Sequence, residues 1–121
     1  MSNEVHKFED LNVWKEAMRL ACDIYHELKN CKEFGLRDQM QRSAVSIPSN
    51  IAEGFERNSN REFVRFLHIA LGSCAELRTQ LYIAVDVQII KKEIGNEYLE
   101  RSRKISAMLS KYIKLRIQHF S

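Results

Sequence analysis

A chain of 121 residues and 14.2 kDa has room for one domain, and a composition 45% hydrophobic and 29% charged supplies one ordinary core, which excludes a disordered polymer. One proline and four glycines exclude a turn-rich all-β fold, and no apolar stretch approaches the roughly 20 residues that a membrane-spanning helix needs. The net charge of +3 gathers at one end, with eight basic against three acidic residues in 91–121, which suggests a footprint for a polyanion.

Four segments carry a 3.6-residue apolar period and none alternates as a strand would, so the whole chain, 1–121, is expected to be one all-α domain. The first helix is expected over 11–31, with Trp14, Ala17, Met18, Ala21, Ile24, Tyr25 and Leu28 in one stripe, Asp10 as N-cap and Phe8 folded back on the first turn. Gly35 is expected to break the chain before the second helix, 36–55, whose stripe is Leu36, Met40, Ile47, Ile51 and Phe55. Pro48 has no N–H for the carbonyl of Ala44, which predicts a kink or a split there. Gly54 is read as a C-terminal unwinding before the polar turn 56–60. The third and fourth helices are expected over 60–86 and 92–118. Long helices with short turns predict an up-down-up-down antiparallel four-helix bundle.

Some apolar residues fall outside these stripes: Leu99, Ile113 and Ile117 on the fourth helix, and Val13, Leu20 and Cys31 on the first. They are expected on an outer face suited to self-association or to a protein partner.

The second helix also carries a polar stripe, Gln39, Arg42, Ser46, Asn50 and Glu53, answered on the third by Arg65, Ser73 and Glu76. Closing the hairpin about Asn58 brings Ser46 to Ser73 and makes an Arg42–Glu76 ion pair reasonable. The expected role is a buried network that fixes helix register, since no nucleophile–base pair accompanies it. An enzyme working through Glu53 and Arg42 is the less favoured reading. Arg101, on the inner side of the fourth helix, needs an acidic partner, and Glu76 and Glu53 are the candidates.

No cofactor or metal is expected. Cys22 and His26 are four apart, but His6, His68 and His119 are scattered, and no glycine-rich phosphate loop occurs. Three isolated cysteines argue against a disulfide framework and predict a reducing, cytoplasmic setting. Met1-Ser2-Asn3-Glu4 lacks a signal-peptide plan. The better-formed surface is on the fourth helix, where Arg103, Lys104, Lys111 and Lys114 share one arc, extended by Lys91, Lys92 and Arg116. Such a face predicts weak, salt-sensitive, sequence-independent RNA or DNA binding. No helix-turn-helix spacing or aromatic stacking platform is legible beside it.

Three motifs resemble one known family. The segments are Phe8-Glu9-Asp10-Leu11-Asn12-Val13-Trp14, the long run Asp38-Gln39-Met40-Gln41-Arg42-Ser43-Ala44-Val45-Ser46-Ile47-Pro48-Ser49-Asn50-Ile51-Ala52-Glu53-Gly54, and Phe63 through Glu76 with Arg65-Phe66-Leu67 and Gly72-Ser73. They are similar to the four-helix-bundle family named after reading frames in the intervening sequences of 23S rRNA genes. That resemblance implies a bacterial bundle assembled as a ring-like homopentamer. It also implies kinship with the accessory variability determinant proteins, which bind nucleic acid and a reverse transcriptase through a basic surface.

Overall fold

The computed structural model describes residues 5–120; residues 1–4, which carry the signal-peptide reading, lie outside them. A 3-10 turn, Phe8–Asp10, leads into four helices: α1 Asn12–Glu27, α2 Phe34–Phe55, α3 Asn60–Asp86 and α4 Lys92–Phe120. No strand occurs among the described residues. Each helix packs on its neighbours in the chain and α1 closes on α4, giving a four-helix bundle.

The ends of α1 differ from expectation. Leu11, in an extended conformation, takes the N-cap position without a side-chain bond, and Asp10 sits one residue earlier in the 3-10 turn. The turn is closed by backbone instead, Asp10 N–H to Lys7 O and Leu11 N–H to Phe8 O, both at 3.0 Å. Phe8 does fold back, its ring edge-on to Trp14 with centroids 5.3 Å apart. The helix stops at Glu27 because Lys29 N–H bonds to His26 O and Cys31 N–H to Leu28 O, tightening the chain. Leu28 stays buried beyond the helix, so the apolar period outruns the α-geometry. Gly35 is not the break; it lies in the first turn of α2.

Pro48 does not split α2, which continues to Phe55. Nor does Gly54 unwind it. A Cβ at Gly54 would lie 2.6 Å from the Cβ of Phe66 and 3.0 Å from Cδ1 of Phe63, so the missing side chain lets α2 and α3 approach. α3 starts on Ser59, whose Oγ accepts from Glu62 N–H at 3.1 Å. That is a Ser-x-x-Glu pattern the sequence displays. The chain turns into α4 at Gln88, where φ is 64°, while the N–H groups of Ile89 and Ile90 both reach Ala84 O.

Leu20, Ile24, Met40, Ile47, Ile51, Leu67, Leu77, Leu81, Ile105 and Leu109 make the fully buried centre. Four residues expected outside it are inside: Leu20, Val13, Leu99 and Ile113 are 0%, 5%, 3% and 6% exposed. A bundle helix faces two neighbours, so its buried arc is wider than one stripe. Cys31 is partly buried, Ile117 is exposed, and Tyr25, expected inside, faces solvent.

Candidate nucleic-acid interface

Between α2 and α3 a short chain of hydrogen bonds has a fixed direction. The Asn50 amide donates to Ser46 O at 2.8 Å and to Ser46 Oγ at 2.9 Å, which spends both of its N–H bonds. Ser73 Oγ donates to Ile69 O at 3.2 Å. The 2.8 Å contact between Ser46 Oγ and Ser73 Oγ is therefore donated by Ser46. Every donor in the chain is used. The other residues of the predicted network lie outside it: Gln39, Arg42, Glu53 and Glu76 are all exposed. Glu53 accepts from Arg57 at 2.9 Å, Arg65 is bound to Glu62, and among the described residues Arg42 and Glu76 form no ion pair. The polar stripe is wider than the seam, and only its inner edge reaches α3.

This arrangement ties α2 to α3. Arg42 and Glu53 are separated by about 16 Å of helix rise, too far to act on one bond. Arg42 instead helps to line an open groove of about 480 Å³ with Tyr25, Asp38, Gln41, Val45 and Ser46. Among the described residues no cluster of His, Cys, Asp or Glu could hold a metal ion, and no helix is long and apolar enough to cross a membrane.

Arg101 meets neither Glu76 nor Glu53. Its Nη1 lies 2.7 Å from Asp23 of α1 and 3.5 Å from Glu97. Next to it, burial pushes the Tyr98 hydroxyl up to about 12, with Glu27, Asp23 and Glu97 adding to the effect.

On α4 the four predicted cations are all exposed, but their charges are not equally free. Arg103 donates to Glu100 and to the Tyr82 hydroxyl of α3, each at 2.7 Å. Lys104 lies 3.8 Å from Glu16 of α1. Lys111 and Lys114 have no carboxylate within ion-pair distance among the described residues. Two residues that sequence reasoning missed complete this face. Tyr82 is 53% exposed beside Arg103, so an aromatic ring does stand next to the cations. Arg78, one turn before it, is half-buried and donates through Nη1 to Ser106 Oγ at 2.5 Å and Ser102 Oγ at 3.4 Å. Spacing of four put Arg78 and Tyr82 on one face of α3; which face of α4 they meet depends on the pairing of the two helices, which one-helix periodicity does not carry.

The family model described as 23S rRNA-intervening sequence protein matches residues 9–111. A crystal structure of a protein of unknown function from the S23 ribosomal protein family of Bacteroides thetaiotaomicron superposes with a TM-score of 0.80. It is 29% identical, over 84% of this chain and 98% of that one. No curated protein matches the sequence.

Proposed function

The chain belongs to the 23S rRNA-intervening sequence protein family, and from that premise we propose that it is a non-enzymatic, oligomeric protein that binds nucleic acid weakly through the outer face of α4. The observation that carries this reading is the pair Lys111 and Lys114, exposed and with no carboxylate within ion-pair distance among the described residues, on the face that also holds Arg103 and Lys104. Each free cation that meets a phosphate releases a counterion, so two per chain give a slope of log affinity on log salt of about −2. That is too shallow for tight binding by one copy. In a homopentamer, which the family resemblance implies, the same face recurs around the ring and avidity multiplies. The descriptions of family and neighbour refer to 23S rRNA and to a ribosomal protein family, so RNA is the first probe to use. A reducing cytoplasm is the setting this reading assumes.

Fluorescence polarisation across a salt series tests it, with the assembly's mass taken from light scattering. Binding that fades with salt and is lost in Lys111→Glu with Lys114→Glu supports the reading. No affinity at low salt ends it.

A second reading, a scaffold that recruits a protein partner, is favoured by one observation: Tyr25, Phe34 and Val45 are exposed on α1 and α2, away from the cations of α4. Association with a host protein that survives nuclease, and is lost in Tyr25→Ser with Val45→Ser, would select it.

A further inference from the structure

Resting on the nucleic-acid reading above, we propose that the surface where α3 meets α4 takes one unpaired nucleotide, its phosphate on Arg78 and its base on the ring of Tyr82.

Among the described residues Arg78 has no carboxylate within ion-pair distance. Its only partners among the described residues are the hydroxyls of Ser102 and Ser106, both reached through Nη1. Ser102 is fully buried. The comparison with Arg101 is direct: that guanidinium, also half-buried, has Asp23 at 2.7 Å. A cation drawn partly out of water with neutral partners alone is costly until an anion arrives. The remaining edge of the fork, Nε and Nη2, has the geometry that receives two phosphate oxygens.

Tyr82 supplies the second half. Its hydroxyl accepts from Arg103 Nη2 at 2.7 Å, which fixes the ring while half of it remains exposed. A held, exposed aromatic ring on a basic surface is how sequence-tolerant proteins stack bases of single strands. A paired base keeps both faces inside its own stack, so the site selects unpaired nucleotides. Lys111 and Lys114 lie further along the same helix and would take neighbouring phosphates.

The test is fluorescence polarisation of the intact protein with a labelled oligouridylate of about 15 nucleotides, beside an RNA duplex of equal length. Tyr82→Leu, an exposed position outside the core, should weaken the single strand about 10-fold and the duplex less than about twofold. Tyr82→Phe should keep the stacking, and Arg78→Gln should weaken both probes and make the salt slope shallower by about 0.7–1. If Tyr82→Leu and Arg78→Gln bind the single strand as the unaltered protein does, while Lys111→Glu with Lys114→Glu abolishes binding, the nucleotide site is overturned and the broader reading stands. If the unaltered protein binds neither probe at low salt, both fall. A lower assembled mass for Arg78→Gln would assign the guanidinium to a carboxylate of a neighbouring copy and likewise overturn the site.

Discussion

Ser46 Oγ of α2 and Ser73 Oγ of α3 share a 2.8 Å hydrogen bond, and the arrangement that uses every donor has Ser46 donating, since the Ser73 proton goes to Ile69 O and the Asn50 amide donates to Ser46 Oγ. The middle member of such a chain is the costly one to remove. Ser46→Ala strands one amide proton of Asn50 and an acceptor on Ser73, and we expect a loss of about 1–2 kcal/mol in urea unfolding. Asn50→Ala, at the end of the chain, should cost about 1 kcal/mol. Arg42→Ala, exposed and without an ion pair among the described residues, should stay within about 0.5 kcal/mol. A larger loss from Arg42 than from Ser46 would contradict this account.

The glycines separate by the space around them. Gly54→Ala drives a Cβ to 2.6 Å from the Cβ of Phe66, a backbone-anchored atom that moves only with its helix. We expect a loss of about 1–3 kcal/mol. At Gly35 and Gly72, both helical, nothing lies within 4 Å of the added carbon. Alanine there should stabilise by about 0.4–1 kcal/mol through the unfolded chain and helix propensity. Opposite signs in the urea midpoints would be the observation; equal signs would refute it.

Ser59→Ala removes the oxygen that receives Glu62 N–H at the start of α3 and should cost about 1 kcal/mol. Thermal unfolding measures it, and Ser59→Asp should restore most of the loss because aspartate caps as well.

Cys74 links stability to alkaline pH. Burial pushes its thiol from 9.0 up to about 11, against smaller opposing effects of Ser106 and Arg78. The neutral thiol is thus favoured in the folded protein, so its stabilising contribution is intact below pH 9 and lost as pH rises from about 9 to 11. Unfolding curves of Cys74→Ala, compared with the unaltered protein over that window, should show a shallower decline. In the unaltered protein a thiol reagent at neutral pH should modify exposed Cys22 at once and Cys74 only on unfolding. Equally fast labelling of the two would exclude the burial argument.

Periodicity read the four helices well where a helix ends at a polar turn. The predicted span 60–86 is that of α3, because the polar residues 56–59 mark one boundary and Asp86 the other. It failed at α1, where buried Leu28 prolongs the apolar pattern through a turn that is no longer α-helical. The Ser46–Ser73 contact was legible because hairpin closure pairs α2 and α3 residue by residue, whereas the bonds of Asn50 run back to Ser46 within α2. The partners of Arg101 and Arg103 were not. Asp23 lies 78 residues from Arg101, and Tyr82 lies 21 from Arg103. Such contacts depend on how one helix is rotated against another, a quantity to which a single helix's period is blind.

That rotation has an origin in the connector. Gln88, held with φ at 64°, and the two amides that share Ala84 O form a rigid elbow between α3 and α4. The elbow sets the azimuth at which α4 leaves, and so decides that Arg103 arrives over Tyr82 rather than over open solvent. One residue inserted into the first turn of α4 would turn the rest of that helix by about 100°, carrying Arg103 away from Tyr82.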